Sequence, residues 1–181
     1  MSDTISKIIA LIISLMLFFI FPIENMLTRQ DDIAKVVVLN ETCEFVDSVR
    51  NLGYITPIMY KQYCQALSMT GNVYKVSMEH KHTTIDPVYL DPVDKTSFQH
   101  DYNKNYDITY TKDILSTLLP DSLSHSGDNY YFLSKGDIFS VQVINTNKTA
   151  ATKVQQMLLM SDLPVNRIVV TYGGMVRDED Y

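Results

Sequence analysis

Two histidines, His80 and His82, have the residue type and the spacing to bind a metal ion. They end the stretch TGNVYKVSMEHKH, in which alternating apolar and polar residues predict a strand over Tyr74–His82. Residues two apart share a face of a strand, so both imidazole rings could reach one ion. A structural zinc site needs four ligands, however, and two histidines do not complete one. The favoured interpretation is a pair of solvated histidines at a strand end, with no metal and no cofactor.

Three aspartates, Asp86, Asp91 and Asp94, supply the carboxylate oxygens that calcium prefers. They lack the D-x-D-x-D-G order of an EF-hand loop, and the prolines of DPVYL and DPVDK favour turns around them. We interpret them as turn acids. The whole stretch from Thr83 to Asp107 has few signals of regular structure, although its aspartates and tyrosines leave a ligand-binding segment open as an alternative.

Catalytic chemistry has no recognisable motif in this chain. The sequence contains no G-x-S-x-G, no Gly-rich phosphate loop and no H-E-x-x-H, and no pairing of a nucleophile with a base stands out. We therefore predict that the protein is not an enzyme and assign no catalytic residue. The net charge of −6 argues against a nucleic-acid partner, which requires a basic surface.

The amino terminus is predicted to anchor the protein in the cell membrane. The stretch from Ile8 to Ile23, IIALIISLMLFFIFPI, has no charge, and residues 8–27 supply the roughly 20 residues that cross a bilayer. Bulky residues from Phe18 to Pro22 stand where a cleaved signal peptide has small ones, which favours an uncleaved anchor over residues 1–27. Lys7 places the amino terminus in the cytoplasm by the positive-inside rule, so a single pass leaves the rest outside.

Residues 28–71 are predicted to form a helical stem and hairpin. From Asp31 to Leu52 apolar residues recur at helical spacing, and Gly53 ends the helix. Thr56 and Pro57 then start a second helix, which a connection of about four residues must fold back against the first.

The hairpin brings the two cysteines of the chain to comparable heights. Cys43 lies ten residues before Gly53 and Cys64 lies eleven after it, so the two could face each other across the helix interface. Outside the cytoplasm a disulfide between them is plausible and would add about 3 kcal/mol of stability. The alternative is two small buried thiols.

Residues 72–181 are predicted to be an α+β extracytoplasmic domain. After the strand at Tyr74 come a strand at Tyr106–Tyr110, two short helices, a hairpin and a last strand. The fold class is therefore α+β: an N-terminal transmembrane helix continuing into a helical hairpin, then a mainly antiparallel β-sheet with two further short helices. The helices are expected at Lys112–Leu119 and Ala150–Met160, the hairpin at Tyr130–Leu133 with Ile138–Asn145, and the last strand at Arg167–Tyr172.

This organisation resembles that of pilins and pseudopilins, in particular the pilin-like proteins of Tad-type pilus and secretion systems in Gram-positive bacteria. The segments that carry the resemblance are DDIAKVVVLNETCEFVDSVRNLGYIT, TGNVYKVSMEHKH and VVTYGGMVRDEDY. It implies a non-enzymatic subunit whose partners are other pilus or secretion subunits.

The chain departs from that family at the peptidase site. Pilin precursors usually carry a small residue at the cut and a Glu five residues into the apolar helix, whereas here no Gly precedes Gly53 and Glu24 follows the apolar run. A membrane-retained accessory subunit fits this pattern better than a processed filament subunit. The alternatives are a membrane-anchored binding module for a ligand or metal, and a membrane-bound hydrolase of unrecognised type.

Overall fold

The computed structural model describes residues 2–91, 93–120, 129–161 and 168–178. It has the predicted α+β organisation, with a long amino-terminal helix, antiparallel sheets and short helices. The helices are α1 (Ser2–Leu52), α2 (Pro57–Ser68), α3 (Thr111–Leu118) and α4 (Ala150–Leu159), and a 3-10 turn covers Lys95–Ser97. The strands are β1 (Tyr54–Ile55), β2 (Tyr74–Tyr89), β3 (Phe98–Tyr110), β4 (Tyr131–Phe132), β5 (Ile138–Asn145) and β6 (Val169–Met175).

Helix α1 is continuous over 51 residues and passes through Pro22 without a break. At 1.5 Å per residue it is about 77 Å long. Most of its large apolar side chains before Ala34 are exposed, whereas one stripe is buried from Ala34 onward. Helical spacing predicts Val38, Phe45, Val49 and Leu52 on one face. The first three are buried in this stripe, and Leu52 is half-buried. The same helix therefore has an uncovered amino half and a carboxyl half that belongs to the core.

The predicted helical hairpin between α1 and α2 is confirmed. Gly53 has a φ of +71°, which a residue without Cβ adopts at no steric cost, and the chain reverses there. The Thr56 hydroxyl accepts from the Met59 N–H and caps α2. Across the interface, the Phe45 and Tyr63 rings stack with centroids 4.5 Å apart.

A buried pair of hydroxyls also joins these two helices. Thr42 donates to the Val38 carbonyl at 2.6 Å, which uses its one hydroxyl proton. Tyr63 must therefore be the donor in its 2.9 Å bond to the Thr42 hydroxyl. Burial raises the pKa of Tyr63 to about 12, although the Thr42 bond opposes the shift, so the phenol keeps the proton it donates.

The main sheet has four antiparallel strands in the order β3-β2-β5-β6. One face packs on the carboxyl half of α1, where Phe139 meets Phe45 edge to face at 6.3 Å. Strand β6 runs beside the same helix and is joined to it by the Tyr172 hydroxyl on Asp47 and the Arg50 side chain on the Met175 carbonyl. The core lies between this sheet and the two helices of the hairpin.

The long β2–β3 ribbon corrects the expectation of an irregular segment from Thr83 to Asp107. Strand β2 pairs with β5 only as far as Lys81, and beyond that point it pairs with β3 alone up to Tyr89. Both faces of this two-stranded ribbon are largely exposed, so no apolar alternation marks it in the sequence. Pro87 is tolerated because β2 has only one neighbouring strand there.

The predicted hairpin between Tyr130–Leu133 and Ile138–Asn145 is wrong. Strand β4 pairs with β1, with Tyr54 opposite Phe132 and Ile55 opposite Tyr131, and it does not pair with β5. The Leu133 N–H also bonds the Gly53 carbonyl at 2.8 Å. The connection between α1 and α2 therefore pairs with β4, and a turn over Ser134–Asp137 leads the chain away into β5.

The remaining elements lie close to their predicted positions. Helices α3 and α4 begin and end within one residue of the expected bounds, and the Thr149 hydroxyl caps α4. The last strand is β6, Val169–Met175, and the Arg167 end of its predicted range lies outside the described residues.

Candidate functional site

A cluster of His80, His82 and Asp137 is the main concentration of metal-ligating side chains in the described part of the chain. The antiparallel register of β2 and β5 produces it, because His80 pairs with Phe139 and Lys81 with Ile138. The next opposed positions are His82 and Asp137. The carboxylate thus points to the same face of the sheet as both imidazole rings.

Asp137 is a buried carboxylate that accepts hydrogen bonds from several sides. Its side chain bonds His80 Nε2 at 2.8 Å and His82 Nδ1 at 2.8 Å, and it accepts from the Ser134 N–H at 2.8 Å. Asp137 is 2% exposed and His80 is 7% exposed, whereas the His82 ring reaches solvent. The cluster is open to solvent on the His82 side and closed behind it.

The hydrogen bonds around Asp137 determine its protonation. Burial alone would raise the pKa of this carboxyl, but the bonds from His80, the Ser134 N–H and His82, with the His82 charge, together lower it. The carboxylate is therefore ionised and accepts from an N–H on each ring. In neutral His80 the other nitrogen, Nδ1, then accepts from the Tyr131 hydroxyl at 2.7 Å.

This arrangement corrects the interpretation of His80 as a solvated residue and of the pair as lying at a strand end, whereas His82 is exposed as expected. His80 is buried, and β2 continues seven residues beyond His82. Asp137 was missed because 55 residues separate it from His82, and only the strand register brings them together. Its local signal, the turn residues Lys135 and Gly136 before a strand, marks a turn and not a ligand.

The three aspartates considered for calcium are not brought together. Asp91 and Asp94 lie in the turn before β3 and bond nearby backbone N–H groups, as turn acids do. Bonds from the Thr96 hydroxyl and N–H lower the pKa of Asp94. Asp86 is different because it lies within β2, where it accepts from the Asn105 side chain across the ribbon.

The two cysteines lie on the facing helices of the hairpin, and neither is bridged. Burial raises the pKa of Cys43, with help from the Asp47 charge, and burial also raises the pKa of Cys64. Raised pKa values keep both thiols protonated, and it is the thiolate that attacks a disulfide. The disulfide between them stays a prediction.

The other candidate surface is the amino half of α1. Among the described residues, α1 is the one helix that is long and apolar enough to cross a membrane, and no part of its most apolar window is buried. Comparison with protein-family models, with curated proteins and with solved structures finds no match to this chain.

Proposed function

We propose that this protein is a membrane-anchored, pilin-like accessory subunit of a Tad-type or type IV pilus-like assembly or secretion apparatus, without catalytic activity. The observation that supports this most is the division of α1 into an uncovered apolar half and a half that forms the core of an α+β domain. The resemblance of this chain to pilins and pseudopilins rests on the same plan.

The uncovered half of α1 requires an apolar environment. Between Thr4 and Phe19 the helix exposes isoleucine, leucine, phenylalanine and methionine side chains on every side, which no soluble monomer leaves in water over such a length. A bilayer satisfies this requirement, and so do the apolar helices of neighbouring subunits. We assign the amino terminus to the cytoplasm and the domain to the outside, following the charge of Lys7.

Photocrosslinking in native membranes tests the proposal. A photoreactive residue at Phe18, in the uncovered half of α1, is compared with one at Lys61, which faces solvent on α2. We expect Phe18 to capture other pilin-like subunits or a polytopic platform protein, and Lys61 to capture fewer of them. Lipid adducts alone at Phe18, with no assembly component captured at either position, would refute the pilus assignment and leave the anchor standing.

A second candidate function, metal binding by an anchored module, is favoured by the cluster at Asp137. Two imidazole nitrogens and a carboxylate oxygen lie within 4.8 Å of one another, which suits a borderline ion such as Zn²⁺ with water completing the shell. The Tyr131 hydroxyl can accept from His80 Nδ1 once Nε2 binds the ion, as the outer partner of a ligating histidine does.

Calorimetry with zinc on the full-length protein in detergent decides this second candidate. Each neutral imidazole would bind the ion through the nitrogen that now donates to Asp137, and its proton would move to the other ring nitrogen. We expect a saturable signal that His82→Ala abolishes and that His100→Ala, a change at an exposed histidine of the ribbon, leaves intact. A signal that is absent, or is equal in both variants, would exclude the site.

A further inference from the structure

Helix α4 ends in an apolar tip that no described part of the protein covers. Met157 is 79% exposed and Met160 is 96% exposed, and Leu158 and Leu159 between them are also exposed. The first turn of the same helix is different, since Ala151 and Thr152 are buried against the domain. The apolar surface is therefore concentrated at the end of α4.

This end of α4 points toward the amino-terminal half of α1. The start of α4 is fixed near the end of α2, because the Asn147 side chain bonds the Asn72 side chain at 3.0 Å. Thr70, two residues before Asn72, lines the same cavity as Ala34 of α1. Farther along α4, Gln155 bonds the Glu24 carboxylate at 3.0 Å. From its start to Gln155, α4 therefore runs alongside α1, from the level of residue 34 to the level of residue 24.

The tip lies level with the last part of the apolar run of α1. Leu159 is four residues, or about 6 Å, beyond Gln155. The same distance along α1 from Glu24 reaches Ile20, which is less exposed than its neighbours. The run from Ile8 to Ile23 extends past that level, so a bilayer that covers it also reaches the tip.

We propose that the tip of α4, residues 157–160, inserts into the membrane interface as a second contact beside α1. This inference rests on the proposed membrane anchoring of α1. We assign a lipid surface to the tip because the tip lies at the same level as the apolar run of α1. Both surfaces require an apolar environment, and one bilayer supplies it to both. Insertion of an apolar helix face by about 5–10 Å is typical of interfacial contacts.

A basic residue is placed to support this contact. Lys153 is exposed one helical turn before Met157, on the side of the tip away from the bilayer centre. From that level its ammonium group can reach lipid phosphates while its stem lies along apolar surface. An apolar tip preceded by an exposed lysine is typical of an amphipathic helix at a membrane interface. A helix end that faces water does not need such a tip.

Tryptophan fluorescence in vesicles of phosphatidylcholine and phosphatidylglycerol tests the insertion, because the native chain has no Trp. Three single-Trp forms of the full-length protein are compared: Leu159→Trp at the tip, Phe18→Trp in the apolar run, and Val93→Trp at an exposed apolar site of the ribbon turn. The Val93 variant controls for the preference of Trp itself for interfaces. Quenching by brominated acyl chains and by aqueous acrylamide is measured for each.

We expect Leu159→Trp to be quenched by brominated lipid and to show an acrylamide slope several-fold smaller than that of Val93→Trp. If Leu159→Trp is as open to acrylamide as Val93→Trp while Phe18→Trp is quenched by lipid, the tip inference is refuted and the anchor stands. Protection from both quenchers at the tip would assign it to a protein contact and also refute insertion. If lipid quenches none of the three, the anchoring itself fails, and the tip inference fails with it.

Discussion

Replacing Asp137 with asparagine tests whether the cluster at this residue also holds the domain together. The carboxylate is buried and joins the turn before β5 to β2 through His80 and His82. Asparagine has almost the same shape but only one accepting oxygen. If that oxygen keeps the bonds from His80 and Ser134, which both meet Oδ2, the amide nitrogen replaces the oxygen that faces His82.

The expected cost follows from which donors lose their acceptor. A hydrogen bond to a charged group contributes about 1.5–3 kcal/mol, but His82 is open to water, so we place Asp137→Asn near 2 kcal/mol. Asp137→Ala would also strand the buried N–H groups of His80 and Ser134, at about 1–3 kcal/mol each, and should cost roughly 5 kcal/mol in total. The expected ranking, with Asp137→Ala less stable than Asp137→Asn, tests this reasoning more strictly than either free-energy value.

Urea denaturation of the full-length protein in detergent, followed by circular dichroism, measures these differences. Asp32→Asn, at an exposed position of α1, is the control and should change the free energy of unfolding by less than about 0.5 kcal/mol. Equal stability of Asp137→Ala and the wild-type protein would show that the buried carboxylate is not held as described.

The same variants give a dependence on pH with a definite sign. The folded protein lowers the pKa of Asp137 below its unfolded value near 3.9. The stabilisation by this carboxylate is therefore present above about pH 4 and is lost as the pH falls through the lower folded pKa. The stability difference between wild type and Asp137→Asn should shrink as the pH falls from about 5 to 3. A difference that stays constant over this range would contradict the reasoning.

Two further predictions concern packing and can be measured by the same denaturation. A Cβ at Gly173 would lie 2.5–2.8 Å from three atoms of β5, two of them backbone, so Gly173→Ala should lower the free energy of unfolding by about 3 kcal/mol. A Cβ at Gly174 would instead meet the flexible guanidinium of Arg50, so Gly174→Ala should lower it by only about 1 kcal/mol. Thr42→Val should cost about 2 kcal/mol because it strands the Tyr63 hydroxyl, Tyr63→Phe about 1, and the double variant clearly less than their sum. Additive costs in that cycle would show that the two hydroxyls do not interact.

The parts of the fold that local patterns determine could be predicted from the sequence. The helical hairpin follows from a stripe of apolar residues ending at Gly53 and from the start signal at Thr56 and Pro57. The first half of β2 is visible because one of its faces is buried. Its second half is not visible, because a ribbon with solvent on both faces needs no apolar alternation.

The candidate metal cluster could be predicted only in part. The spacing of His80 and His82 places two rings on one face, and that much is local. The third member, Asp137, depends on which residue of β5 stands opposite which residue of β2, and the sequence predicted the wrong partner for β4 in the same region. Which distant strands pair, and in which register, depends on how the whole core packs. Local patterns in one sequence therefore do not predict it.

The continuity of α1 has a mechanical consequence. Since no flexible linker separates its apolar half from the half built into the core, the domain cannot turn independently of that apolar half. From Glu24 to Leu52 the helix is a lever of about 42 Å. In the proposed membrane-anchored state, a tilt of the apolar half by about 20° in a thinner bilayer moves the far end of this segment sideways by roughly 14 Å. A change in membrane thickness would thus displace the domain. A pulling force on the domain would in turn strain the apolar half of α1.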